Sequence, residues 1–92
     1  MADVVDAPAR GRFELTENGL TAFATYRRAG NRVTIPHVEA PVPLRGKGTA
    51  SRLMQGIVAL ARADGSKIVP SCPYAAAWFR RYPQNADVLD RS

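Results

Sequence analysis

The segment Leu44–Ala50 is glycine-rich and basic, and it lies between a strand pattern and a helix pattern. A turn just before a helix leaves backbone N–H groups without intrahelical partners, and the helix dipole adds positive potential there. Gly46 and Gly48 let the backbone approach a ligand closely, while Arg45 and Lys47 add positive charge. The pattern predicts an anion site suited to the pyrophosphate of a nucleotide-like cofactor, and Leu44–Ala50 is therefore called the anion turn. The alternative is an ordinary loop that binds nothing.

Cys72 is a candidate nucleophile. It follows a short apolar run and precedes Pro73, a residue suited to the first position of a helix. The sequence therefore places Cys72 at or beside the N-cap of the last helix, where the dipole and free N–H groups favour a thiolate. The alternative is an inert, buried cysteine, which is common among free thiols.

His37 and Glu39 end a predicted strand, and strand alternation puts them on one face. Such a pair could orient or activate a general base. The alternative is a partly exposed histidine near a surface carboxylate. One histidine and one cysteine are too few for a zinc site, so no metal is expected.

The elements around these residues follow from hydrophobic periodicity and turn residues. Residues 1–11 lack periodicity and are expected to form a flexible leader. Asn18-Gly19 predicts a tight hairpin. In the third strand Val33, Ile35 and His37 should share one face, and Pro36 predicts an edge or a bulge. The predicted antiparallel strands are Arg12–Thr16, Leu20–Arg28 and Arg32–Glu39.

The second half of the chain adds helices and a parallel strand. Ala40–Pro43 should be an extended connection, and Ser51–Asp64 has helical spacing that stops at Gly65. Strand, helix and strand imply a right-handed crossover, so a strand within Ser66–Ser71 should run parallel to the third. A short helix, Tyr74–Tyr82, and a tail in which Val88 and Leu89 dock should follow. The fold class is α/β (α+β), a mostly antiparallel sheet with one parallel pair and two helices.

Prolines near the ends of the parallel strands predict that the two strands separate. Pro36 lies in the third strand and Pro70 in the fourth, and both disfavour continuous pairing at the carboxyl ends of these strands. The resulting gap lies beside the anion turn, at the carboxyl ends of parallel strands, where open α/β sheets bind ligands.

Composition and charge limit the classes of binding partner that can be expected. Ninety-two residues suit one domain, here residues 12–92. A net charge of +5 favours anionic partners, but the arginines are spread along the chain, which makes a nucleic-acid binder the weaker alternative. The single cysteine suits a reducing compartment. No apolar run could span a bilayer and no signal peptide is evident, so a cytoplasmic protein without a membrane partner is expected.

Several motifs together resemble a known family. Arg45-Gly46-Lys47-Gly48-Thr49-Ala50 matches the Gln/Arg-x-x-Gly-x-Gly/Ala acetyl-CoA motif of the GNAT N-acetyltransferase superfamily. With His37-Val38-Glu39 and Cys72-Pro73-Tyr74, the chain resembles the short, single-domain GNAT-like proteins with Arg-Gly-Lys-Gly and Cys-Pro-Tyr motifs. The match runs from about Phe13 to Pro83. Departures include Val38 in place of threonine and Ala40 in place of valine, and Tyr82 and Gln84 replace histidine and glutamate.

The resemblance implies a minimal GNAT-like fold and an acetyl-CoA-dependent transferase acting on an amine, either a small molecule or a protein lysine. It implies that Cys72 takes the acetyl group or acts as an acid, with His37 or Glu39 relaying a proton. A CoA-binding module without catalysis is the alternative, and a monomer or weak homodimer is expected. The resemblance assigns CoA binding to Glu39, Ala40, Pro41, Val42, Arg45, Gly46, Lys47, Gly48, Thr49, Ala50 and Tyr74.

Overall fold

A computed structural model describes residues 4–90. Its five-stranded sheet has the order β1-β2-β3-β4-β5, antiparallel from β1 to β4 and parallel between β4 and β5. The predicted α+β architecture is therefore confirmed. The strands are β1 (Val5–Ala7), β2 (Arg12–Glu17), β3 (Leu20–Ala29), β4 (Arg32–Glu39) and β5 (Lys67–Val69); the α-helices are α1 (Thr49–Asp64) and α2 (Pro73–Arg81); and 3-10 helices span Pro8–Arg10, Val42–Leu44 and Pro83–Val88.

The prediction of a flexible leader is wrong for residues 5–10, while residues 1–3 lie outside the described part. β1 pairs with the outer edge of β2, with Val5 opposite Glu14 and Ala7 opposite Arg12. The Tyr26 hydroxyl also donates to Asp6 Oδ1 at 2.5 Å. Backbone pairing at an open sheet edge needs no apolar periodicity, so the segment carried no strand signal in its sequence.

The β2–β3 hairpin turns at Asn18 and Gly19, as predicted. Their φ angles of +53° and +74° are those of the tight turn that the dipeptide favours. This turn brings the end of β2 close to the start of α1, which matters for the site described below.

β4 contains the bulge that Pro36 predicted. Thr25 lies opposite His37 and Arg27 opposite Thr34, so Ile35 and Pro36 together face Tyr26. The extra residue reverses the alternation that follows it. The expectation that His37 shares a face with Val33 and Ile35 is therefore wrong: those two are buried in the core, and the His37 side chain is 55% exposed.

The prediction for the segment before the anion turn is also wrong. Val42–Leu44 is a 3-10 helix rather than an extended connection, with the Leu44 N–H donating to the Pro41 carbonyl at 2.9 Å. Proline restricts φ to about −65°, a value compatible with a 3-10 turn. The buried Leu44 side chain anchors this turn.

The core lies between the helices and one face of the sheet. α1 contributes the buried stripe predicted from its spacing, which includes Leu53, Met54, Ile57 and Val58. α1 ends at Gly65, whose φ of +77° is the left-handed conformation of a helix stop. The tail docks as predicted, with Val88 buried and Leu89 bridging to Ile68.

Candidate active site

The parallel strands separate where the prolines predicted. β4 and β5 pair only from Arg32 opposite Lys67 to Thr34 opposite Val69. The last backbone link runs from the Cys72 N–H to the Ile35 carbonyl at 3.0 Å. Beyond it, within residues 4–90, no strand pairs with the β5-facing edge of His37–Glu39. The gap that a linear ligand would need is therefore present.

The anion turn lies beside this gap and leaves a cluster of backbone N–H groups without backbone acceptors. Gly46 and Gly48 have φ angles of +78° and +80°, which a residue with a side chain adopts only with strain. The first N–H groups of α1 have no intrahelical acceptor. Within the described chain, the N–H groups that lack a backbone acceptor here are those of Gly46, Gly48, Thr49, Ala50 and Ser51.

A cleft of about 230 Å³ opens at this turn. Of its lining residues, Ser51 was not predicted, and Leu44 was predicted only as part of the anion turn and not as a cofactor contact. Four predicted cofactor contacts do not line it, namely Glu39, Pro41, Val42 and Lys47. The predicted residues that do line it are Ala40, Arg45, Gly46, Gly48, Thr49, Ala50 and Tyr74.

Three carbonyls before the turn are already engaged. The Ala40 carbonyl accepts a hydrogen bond from Arg45 Nε at 3.1 Å, and the carbonyls of Pro41 and Val42 accept bonds within the 3-10 turn. The N–H groups of Ala40 and Val42 have no backbone acceptor in the described chain, so pairing of an extended arm around residues 39–42 stays a prediction. The free edge of His37–Glu39 offers further backbone groups beside them.

Cys72 occupies the N-cap of α2, as predicted. Its backbone N–H marks the point where the strands part, yet the residue is only 6% exposed and belongs to the hydrophobic core. The structure thus brings Cys72 to the gap but places it against the core side of the gap.

His37 and Glu39 form the predicted pair, with His37 Nε2 and Glu39 Oε1 3.0 Å apart. Both side chains are about half exposed, on the face of the sheet away from the helices. The ring of Phe23 lies 6.1 Å from the imidazole. In the described part of the chain, no hydrogen bond or ion pair joins either residue to Cys72.

The fold and these motifs agree with what comparison with known proteins shows. The model of the GCN5-related N-acetyl-transferase family matches residues 12–88. The chain belongs to the GCN5-related N-acetyltransferase family. A solution structure of a GCN5-like protein from Staphylococcus aureus superimposes with a TM-score of 0.68 at 24% identity, covering 96% of this chain and 87% of that one. No curated protein matches.

Family membership and fold support an acetyl-CoA-dependent N-acetyltransferase in general. Across residues 4–90, no helix is long and apolar enough to cross a bilayer. The same residues gather no group of three or more His, Cys, Asp or Glu side chains that could hold a metal ion.

A second cavity of about 280 Å³ adjoins the cleft of this N-acetyltransferase fold. Ser51 and Tyr74 line both cavities, and Trp78 Nε1 donates to Ser51 Oγ at 2.9 Å. The resemblance assigned Tyr74 to CoA binding, whereas Trp78 was not among the predicted site residues. Arg81 supplies a cationic side chain to the same wall.

Sequence reasoning missed a polar cluster that touches the anion turn. Glu17, at the end of β2, accepts hydrogen bonds from Thr49 Oγ1 at 2.6 Å and from Arg52 Nε at 2.7 Å. The bonds from Arg52 and then Thr49 lower the pKa of Glu17 from 4.5 to about 2. The three residues are called the Glu17–Thr49–Arg52 cluster. No local motif could have revealed it, because Glu17 is distant from α1 in the sequence.

The low pKa of Glu17 predicts a change in acid stability. Its folded-state pKa of about 2 lies below the unfolded value of 4.5, so ionised Glu17 stabilises the fold above about pH 4.5 and this contribution is lost as the pH falls toward 2. We expect Glu17→Gln to lower the free energy of unfolding at pH 7, with the difference from wild type shrinking at acid pH. Urea titrations at several pH values measure this, and a difference that stays constant down to pH 2 would contradict it.

Proposed function

We propose that this protein transfers the acetyl group of acetyl-CoA to an amine, with the anion turn holding the charged end of the cofactor and the strand gap holding its pantetheine arm. The observation that carries the proposal is the group of N–H groups without backbone acceptors at Gly46–Ser51, beside strands that separate. Oriented amides at a helix N-terminus suit a pyrophosphate. The residues present therefore fit the cofactor.

Charge and shape support the same placement. Arg45 and Lys47 are exposed on the turn, where they add positive charge near the cleft. The unpaired His37–Glu39 edge offers backbone groups to the amides of an extended arm. When bound, the cofactor supplies a thioester carbonyl that an amine can attack.

His37 is the proposed general base. Ionised Glu39 can only accept a hydrogen bond, so the proton between the two residues belongs to His37 Nε2, and Nδ1 carries the lone pair. Nδ1 can then take the proton that the amine nitrogen loses as its bond to the acetyl carbon forms. Glu39 holds the imidazole in this tautomer and stabilises the imidazolium that results.

Cys72 is the proposed acid. As the carbon–sulfur bond of the thioester breaks, Cys72 Sγ–H gives its proton to the departing sulfur and is reprotonated afterwards from water. Burial at 6% exposure favours this role over covalent acetylation, because an acetyl group on Sγ would have to displace core atoms. In the covalent alternative, an acetylated Cys72 would be detectable by intact mass.

Calorimetric titration with acetyl-CoA, followed by an assay of CoA release across a panel of primary amines, tests the proposal. We expect saturable binding and turnover with at least one class of amine. Binding without turnover across small amines, polyamines and lysine peptides would favour a non-catalytic CoA-binding module. Absence of binding would refute both functions.

A further inference from the structure

Arg52 connects three parts of the structure that the sequence keeps apart. Its Nε and Nη2 donate to the two carboxylate oxygens of Glu17 at 2.7 and 2.8 Å. The same Nη2 donates to the backbone carbonyl of Lys47 at 2.9 Å. Arg52 therefore ties the β2–β3 hairpin to the anion turn, and the bidentate pair with Glu17 fixes the plane of its guanidinium.

The contact with the Lys47 carbonyl decides where an amide of the turn points. A trans peptide is planar, so the Lys47 carbonyl and the Gly48 N–H point in opposite directions. With the carbonyl drawn toward Arg52, the Gly48 N–H is directed away from it. Gly48 lines the cleft, and its N–H has no backbone acceptor in the described chain.

The absence of a side chain at Gly48 leaves room for the Arg52 guanidinium. A Cβ added at Gly48 would lie 3.0 Å from Arg52 Nη1, which is tighter than ordinary packing. The glycine at this position thus serves two needs at once, a φ of +80° and close approach of the guanidinium. The positive φ and the missing Cβ both contribute to the contact between Arg52 on α1 and the anion turn.

Arg62 provides an internal comparison. It lies on α1 and holds Asp87 in the same bidentate manner, with Nε and Nη2 each 2.7 Å from a carboxylate oxygen. Its contacts are to Asp87 and Asn85, and neither residue lines the cleft. The two arginines therefore differ in that Arg52 alone of the pair reaches the turn backbone.

We infer that Arg52, oriented by Glu17, is a positioning residue that holds the Lys47–Gly48 peptide in the conformation that binds the pyrophosphate of the cofactor. The inference rests on the proposed function. It concerns the geometry of the turn rather than added positive charge, because the carboxylate of Glu17 balances the guanidinium.

The test compares Arg52→Lys with Arg62→Lys, two changes that keep the charge and remove a bidentate contact from the same helix. CoA and pantetheine, which lacks the pyrophosphate, are each titrated by calorimetry or NMR, alongside thermal unfolding. We expect Arg52→Lys to weaken CoA binding about tenfold and to leave pantetheine binding within about twofold, while Arg62→Lys changes neither.

Each outcome decides a different point. Equal CoA affinities for the two variants would overturn the role of Arg52. So would an equal loss for CoA and pantetheine, because that pattern indicates general loosening of the fold. If wild type fails to bind CoA, the proposed function fails and this inference falls with it. Should Arg52→Lys not fold, Glu17→Gln against Asp87→Asn makes the same comparison, and unchanged or tighter CoA binding by Glu17→Gln would overturn the inference.

Discussion

Gly48→Val is expected to weaken CoA binding by about a hundredfold or more while the sheet and helices stay intact. Gly48 has a φ of +80°, where a β-branched residue is strongly disfavoured. The new side chain would also press on Arg52 Nη1, which lies 3.0 Å from the Cβ position. Rotation of the Lys47–Gly48 peptide relieves the positive φ, and that rotation turns the Gly48 N–H away from the cleft.

Gly30→Val is the matched control for this variant. Gly30 also has a positive φ, +62°, but an added Cβ meets nothing within 4 Å, and the residue is in the turn between β3 and β4 rather than in the cleft. Both variants should lose a similar amount of stability from backbone strain, about 1–3 kcal/mol. Calorimetric titration with CoA then separates them, and equal CoA affinity in the two variants would contradict the placement of the pyrophosphate at this turn.

Cys72→Ala is expected to lower kcat by about a hundredfold, with little change in the KM for acetyl-CoA. Loss of a general acid typically costs a factor of this size, because the departing sulfur must then leave without a proton donor. Cys72→Ser should show a similar loss, since a hydroxyl is a far weaker acid than a thiol. Steady-state kinetics with an amine identified from the panel measures the effect.

Ile57→Val controls for the volume that Cys72→Ala removes from the core. Ile57 is 1% exposed and belongs to the same hydrophobic cluster, and the change costs about 0.5–1.5 kcal/mol of stability. It should leave kcat unchanged. Full activity in Cys72→Ala would remove the acid role, and an acetyl adduct on Cys72 in the wild-type enzyme would replace that role with the covalent one.

Much of the fold was accessible from short stretches of sequence. Asn18, Gly19 and Gly65 tolerate a positive φ, and Pro36 and Pro73 fix φ and remove a backbone donor, so the hairpin, the bulge, the end of α1 and the start of α2 followed from residue type. The strand–helix–strand order around the anion turn gave the parallel pair because crossover handedness leaves one choice. The turn and the position of Cys72 at a helix N-cap were predictable for the same local reason.

Tertiary structure decided how these parts combine into a site. The bulge in β4 moved His37 to the outer face, because one inserted residue reverses every side chain beyond it. The first strand formed only because β2 presents an open edge for it.

The sequence by itself determined the anion turn, the strand pair that separates beside it and the position of Cys72 at the N-cap of α2, since each depends on neighbours along the chain. The pairing of Glu17 with Arg52, and through Arg52 with the Lys47 carbonyl, was decided only by the folded chain. A contact between residues far apart in sequence depends on how the hairpin packs against the helix. No local sequence pattern predicts how close Glu17 and Arg52 lie in the folded chain.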